Sequence, residues 1–188
     1  MYKKIAVLIL VLVLLSAALT AAVYANTSGS QQINWRIAGP IFSNIEVASG
    51  GATQKYTLLS LTAAGAPGPA QLQVVGTGIP GPITDLCPGL TPQTGLQIKF
   101  TDGGFVALFP DQSMLYFVVD DSPDAKNALC VTFDPTDANT GILDYVITGG
   151  AGRFEGASGN ATVTLSSWGV TSVLSAEVGE VTGTIEMP

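Results

Sequence analysis

Carboxylates are the residues that could do chemistry in this chain, because its 188 residues include no histidine. Without histidine, Ser-His-Asp and Cys-His nucleophile systems are excluded, and so are most zinc sites. Arg153 and Glu155 flank Phe154 within a segment dense in glycine. A buried carboxylate at this position could polarise a ligand or act as a general acid or base. The alternative is that Phe154 fills core space while its charged neighbours bond to the backbone of a turn.

The other carboxylates crowd two loops. Asp120, Asp121 and Asp124 share one, and Asp134 and Asp137 share the next. The spacing from residue 137 to 141 has part of a calcium-loop pattern but lacks its third acidic ligand and its terminal glutamate. We therefore predict solvated acidic turns, with no metal and no cofactor.

The segment 142–168 predicts how these groups are positioned. Residues 143, 145 and 147 form an apolar face in one run, and residues 161, 163 and 165 form another. Alternation with period two indicates half-buried strands. The five glycines between the runs suit a tight corner that uses positive φ. The sequence of nearly every other segment also predicts a strand or a turn, so the predicted fold class is all-β.

The same corner resembles that of allene oxide cyclases, and it is similar to the Gly-Gly-x-Gly-x-Phe corner of dirigent proteins. The matching positions are Gly149, Gly150, Gly152, Phe154, Glu155, Gly156, Gly159, Val163 and Leu165. The resemblance implies an antiparallel eight-stranded barrel that often trimerises, here in an exported protein of bacterial type. The substrate-site motifs of the cyclases are not seen near the N-terminal strands, so their activity is not carried over.

A barrel mouth is a common ligand site. The predicted ligand-binding residues are Arg153, Phe154 and Glu155 of the corner, with Tyr145 and Trp168 on the flanking strands. No catalytic residue is assigned. The alternative for the aromatic residues is an ordinary place in the core or at the rim.

The N-terminus has the three parts of a secretory signal peptide. Lys3 and Lys4 precede an apolar run over 5–15, and small residues lead to Ala25. We predict cleavage after Ala25, which leaves residues 26–188 as a single barrel domain that is secreted or periplasmic. An uncleaved anchor is the alternative, but the apolar run is short for a membrane span.

Charge excludes some partners. After loss of residues 1–25, five basic and fourteen acidic residues remain, a net charge of −9. Such an acidic chain does not suit nucleic acid or an anionic membrane surface. No stable membrane insertion is expected after cleavage.

Cys87 and Cys130 are the two cysteines of the chain. An isolated pair in an exported protein predicts a disulfide. Cys87 lies within the longest segment predicted to be irregular, 76–95, where four prolines disfavour a regular ladder.

Residues 113–119 are apolar on both faces. One face can fill a barrel, and the other needs cover that no helix of this chain supplies. We therefore predict a homo-oligomer, possibly a trimer, without assigning which face points outward.

Further strands are predicted over 33–38, 45–48, 55–64, 71–74, 96–100, 104–109 and 129–133, after a flexible N-terminus at 26–32. Asp102–Gly103 predicts a two-residue hairpin. Apolar residues occupy even positions over 174–178 and odd positions over 181–187, so a bulge or turn is predicted at 179–180.

Three functions stay open at this point. The first is a non-catalytic exported barrel that binds a small apolar ligand or a protein partner. The second is a cyclase, an isomerase or a dirigent-like stereochemical guide. The third is a structural or surface protein, which the low charge favours. A barrel interior completely filled by side chains would leave only the third function.

Overall fold

A computed structural model describes residues 29–48, 51–57, 61–169 and 174–188, with side chains outside 43–57. These residues form ten strands: β1 Gly29–Ala48, β2 Gly51–Thr57, β3 Leu61–Ala66, β4 Ala70–Gly81, β5 Gly95–Leu108, β6 Met114–Val119, β7 Asn127–Thr132, β8 Asn139–Ala151, β9 Ser158–Gly169 and β10 Leu174–Met187. The predicted signal peptide lies outside the described residues. No helix among them is both long and apolar enough to span a membrane.

Antiparallel pairing closes the sheet into a barrel of eight strand positions. The ring runs β3–β1–β10–β9–β8–β6–β5–β4, and pairing of β4 with β3 closes it. β2 continues the position of β3 between β1 and β4, and β7 continues that of β6 between β5 and β8. The predicted antiparallel eight-stranded barrel is therefore confirmed.

Alternation of side chains puts one apolar row of each strand inside the barrel. Ile33, Trp35 and Ile37 of β1 are buried, as are Val181 and Ile185 of β10. The chain therefore has one continuous core, which lies in the barrel interior.

The glycine corner joins β8 to β9 through a short 3-10 turn, Gly152–Phe154. Gly149, Gly152, Gly156 and Gly159 have positive φ, as predicted. At Gly159 a Cβ would also lie 2.0 Å from the Thr184 carbonyl oxygen, so the corner requires glycine for space as well as for backbone conformation.

Several predicted boundaries were wrong. Asp102–Gly103 is not a hairpin, because β5 runs through it; Thr101 is the extra residue of a bulge opposite Thr77 and Gly78, where β5 bends. β1 is one strand that begins at Gly29 rather than two that follow a flexible segment. The predicted strand at 55–64 is divided between β2 and β3, and residues 58–60 lie outside the described chain.

The irregular segment is shorter than predicted, because β4 continues to Gly81. Pro80 is tolerated there since β4 pairs with β5 on one side, while its described pairing with β2 ends at Gly78. The remaining loop, 82–94, lies over β7. The predicted disulfide is confirmed: Cys87 of the loop is bonded to Cys130 of β7.

The predicted bulge or turn at 179–180 was also wrong. β10 keeps an unbroken register with both β1 and β9 along its whole length. Its odd-numbered residues point inward throughout, so Val178 is exposed and Glu177 is buried. The apolar residues at even positions misled the pattern analysis, because they lie on the outer face.

Candidate functional site

The two ends of the barrel interior differ in how they are filled. At one end, which we call the filled end, the side chains of Trp35, Phe109, Phe117 and Phe154 pack together. Trp35 has no exposed surface, and its indole N–H donates a 2.8 Å hydrogen bond to the Gly68 carbonyl oxygen. Its ring centroid lies 5.9 Å from that of Phe109, which lies 4.8 Å from that of Phe154. Centroid distances in this range are those of aromatic rings in direct contact.

Arg153 covers the filled end from outside. Its guanidinium carbon lies 4.7 Å from the ring centroids of both Phe109 and Phe154, a cation–π arrangement. An ion pair with Asp111 at 3.6 Å holds the same guanidinium. Phe154 therefore fills core space, and Glu155 is exposed to solvent beside it.

The other end, which we call the cavity end, contains a cavity of about 170 Å³. Apolar side chains from all parts of the ring line most of it, among them Ile41, Val74, Phe100, Leu129 and Val163. Gly179 and Gly141 both pair with Leu165, and a Cβ at either glycine would lie within 3.2 Å of a side-chain atom of Leu165. These glycines therefore make room for Leu165, which borders the cavity.

The polar groups of the cavity lie on one side. Glu177 of β10 pairs in register with Ser167 of β9, which pairs with Asn139 of β8. Paired residues on one face of a sheet have Cβ atoms about 5 Å apart. The Asn139 side-chain oxygen already accepts a 3.0 Å hydrogen bond from the Thr132 N–H. Glu177, Ser167 and the amide NH₂ of Asn139 therefore remain as the polar groups of this row at the cavity.

Glu177 is the unusual residue of the cavity. Only 4% of its surface is exposed, and no described residue donates a hydrogen bond to its carboxyl group. Burial raises the pKa of Glu177 from 4.5 to about 8. The carboxyl group is therefore largely protonated at neutral pH, since ionisation in an apolar site would cost too much free energy.

Tyr145 lies at the inner end of the cavity and is also 4% exposed. Its ring packs edge-on against Phe105 at 4.9 Å, and Phe105 stacks on Phe117 at 4.0 Å. This aromatic column fixes Tyr145 between the filled end and the cavity. Burial, and secondly the nearby carboxyl of Glu177, raise the pKa of Tyr145, so its hydroxyl keeps its proton.

The structure therefore separates the five residues predicted to bind a ligand. Tyr145 lines the cavity, whereas Arg153, Phe154 and Glu155 belong to the filled end. Trp168 is 43% exposed on the outer face of β9. The prediction that these last four residues bind a ligand is untested, and their positions away from the cavity do not favour it.

Sequence analysis missed Glu177 because of the register error in β10. The signal that could have found it is the strict period two that leads back from Ile185 and Val181 through Gly179 to Glu177. Among the described residues no group of three or more potential metal-binding side chains is found.

Comparison with known proteins gave one kind of likeness. A solved structure of a pterocarpan synthase dirigent protein is similar to this chain, with 13% identity and a TM-score of 0.37 over 85% of this chain and 89% of that one. No protein-family model matches the chain, and no curated protein does. Membership of the allene oxide cyclase family stays a prediction from the sequence.

Proposed function

We propose that this protein binds one small, mainly apolar molecule in the cavity, where Glu177 and Tyr145 hydrogen-bond its polar group. This proposal moves the ligand site from the glycine corner to the opposite end of the barrel. It keeps the predicted kind of ligand and replaces the residues that contact it.

The observation that carries the proposal is the buried, unpartnered carboxyl of Glu177. A polar group left unsatisfied in a protein interior costs about 1–3 kcal/mol. Leucine at this position would avoid that cost, so a barrel with a purely structural role gains nothing from the glutamate. A ligand that accepts a hydrogen bond from the protonated carboxyl would recover this free energy.

The size of the cavity limits the ligand. Apolar protein cavities of about 150 Å³ hold benzene. The cavity of about 170 Å³ therefore suits a molecule with one six-membered ring and a small substituent. Since the polar groups lie on β8, β9 and β10 and the opposite side is apolar, the ligand should be uncharged with one polar edge.

The test uses two molecules of the same size. Cyclohexanone and methylcyclohexane differ in their polar group, and binding of each is measured by the chemical-shift changes of methyl groups that line the cavity. We expect the native protein to prefer cyclohexanone, because only the ketone accepts a hydrogen bond from Glu177. Glu177→Leu should reduce this preference, and the part that remains should come from the hydroxyl of Tyr145.

A second variant locates the site. Leu165→Trp places a larger side chain in the cavity and should abolish binding of both molecules. Glu155→Leu at the filled end should leave binding unchanged. Undiminished binding by Leu165→Trp would place the ligand elsewhere and overturn the proposal.

We also propose that the protein works outside the cytoplasm. The predicted signal peptide and the disulfide between Cys87 and Cys130 support this, because disulfides persist in oxidising compartments. Sequencing the N-terminus of secreted protein should find Asn26 first, and an intact Met1 would contradict cleavage.

A homo-oligomer remains the proposed assembly. Met114, Tyr116 and Val118 form the outer face of β6, next to Val146 of β8. Val118 is 45% exposed and Val146 is 40% exposed. We call these four residues the outer apolar face. A second copy is the occupant it suits, because two acidic chains repel each other least where uncharged surfaces meet.

A further inference from the structure

The cavity combines two proton-carrying groups with room for a small ring. Of the described residues that line it, Glu177 and Tyr145 alone can titrate; the other polar groups are Asn139, Ser167 and Ser175. The two are close enough for the charge of Glu177 to act on the Tyr145 hydroxyl. Neither side chain forms a hydrogen bond with another described side chain, so both are available to a bound molecule.

We propose that the protein catalyses proton transfer at the carbon next to the carbonyl group of a small, uncharged ketone held in this cavity. Glu177 is the base, and the Tyr145 hydroxyl donates a hydrogen bond to the carbonyl oxygen. This inference rests on the proposed function, since the ketone must occupy the same cavity.

The step needs no cofactor and no change of oxidation state. The carbon–hydrogen bond breaks, and its electron pair forms a carbon–carbon double bond while the carbonyl π electrons move onto oxygen. The proton goes to the Glu177 carboxylate, and the enolate oxygen accepts the hydrogen bond from Tyr145. The proton held by Glu177 is then replaced from the solvent, and delivery of this solvent-derived proton to the same carbon completes the exchange. With a β,γ-unsaturated ketone, return to the γ-carbon moves the double bond into conjugation.

The surroundings suit both roles. A general base is most effective when its pKa lies near the working pH, and the pKa of Glu177 at about 8 is close to that condition. Tyr145 has a raised pKa, so it remains a donor when Glu177 is ionised. Hydrogen bonds to a developing oxyanion are stronger in surroundings of low polarity than in bulk water, and most of the residues that line this cavity are apolar.

The experiment measures hydrogen–deuterium exchange of cyclohexanone in D₂O by proton NMR, with the buffer rate subtracted. We expect the native protein to accelerate loss of the α-hydrogen signal, and the acceleration to rise with pH, to reach half its limit at the pKa of Glu177 of about 8, and to level off above it. Glu177→Gln should lose the base and slow exchange by about 10²–10⁴-fold. Tyr145→Phe should slow exchange by about tenfold or more, since removal of one hydrogen-bond donor to an oxyanion typically lowers the rate by about 10²–10³-fold.

Two matched controls remove the same kind of carboxylate at other places. Glu180→Gln changes a residue on the outer face of β10, three residues from Glu177, and Glu155→Gln changes an exposed residue at the filled end. Both should exchange cyclohexanone at the native rate. If Glu177→Gln does not fold, the pH profile of the native protein and the Tyr145→Phe variant decide the question.

Each remaining outcome is informative. Binding of cyclohexanone with no exchange above the buffer rate overturns the catalytic inference and leaves the proposed function standing. Exchange that is equal in native protein and Glu177→Gln also overturns it. Absence of binding overturns both proposals together.

Discussion

The filled end and the cavity end of this barrel share most of their strands but hold different contents. β1 supplies Trp35 to the filled end and Ile41 to the cavity end, and β10 supplies Ile185 and Glu177 respectively. β1 and β10 pass through both ends in one unbroken register. Along these two strands the difference therefore lies in the side chains at inward positions and not in the backbone.

Side-chain volume accounts for this difference. An eight-stranded barrel has an interior just wide enough for side chains to fill it. Trp35, Phe109 and Phe154 pack against one another at the filled end, whereas the small side chains of Ser167 and Ser175 line part of the cavity end. The filled end should therefore contribute more to stability than the cavity end, where close packing is incomplete.

The largest effect should come from Trp35→Ala at the filled end. Loss of a buried tryptophan costs about 3–5 kcal/mol of unfolding free energy, because a cavity replaces close packing. Leu165→Ala at the cavity end should cost about 2 kcal/mol or less, at the low end of such truncations, since Leu165 already borders empty space. Urea denaturation measures both, and equal losses would remove the distinction between the two ends.

The next effect is a change in the free energy of unfolding with pH, which should come from Glu177 at the cavity end. The pKa of Glu177 is 4.5 when unfolded and about 8 when folded, so between these values the folded state holds a proton that the unfolded state has released. Stability should therefore fall as pH rises, by up to about 4 kcal/mol between pH 5 and pH 8. Because the chain has no histidine, no imidazole masks this change.

The control for this pH dependence is Glu177→Gln, which cannot ionise. Its urea midpoint should stay nearly constant from pH 5 to pH 8, while that of native protein declines. Parallel declines in the two proteins would mean that Glu177 is not buried as an acid.

The smallest effect on stability should come from the outer apolar face. Tyr116→Glu adds a charge on the outside, so it should change the free energy of unfolding of the folded subunit by only about 0.5 kcal/mol. It should nevertheless convert an oligomer into a monomer in sedimentation experiments. Thr164→Glu, on the outer surface of β9, should leave the assembly intact. A native protein that sediments as a monomer would contradict the proposed oligomer.

Local sequence patterns predicted much of the architecture. Alternation in 142–148 and 161–166, the glycine corner and the cysteine pair each reflect short-range chemistry that survives in the fold. The Asp102–Gly103 hairpin failed because the same dipeptide suits a bulge, and pairing of β5 with β4 decided between them. Both faces of β6 are apolar, so its sequence could not indicate that Leu115 and Phe117 point inward.

The sequence by itself determined the all-β class, the disulfide and the shape of the corner, because adjacent residues or one cysteine pair specify them. Only the tertiary structure decided that Glu177 faces the interior, since the unbroken pairing of β10 with β1 and β9 fixes its phase against a misleading apolar pattern. Tertiary structure also decided that Phe154 and Glu177 lie at opposite ends. Ring closure brings together residues distant in sequence, and the volumes of all inward side chains together determine where space remains.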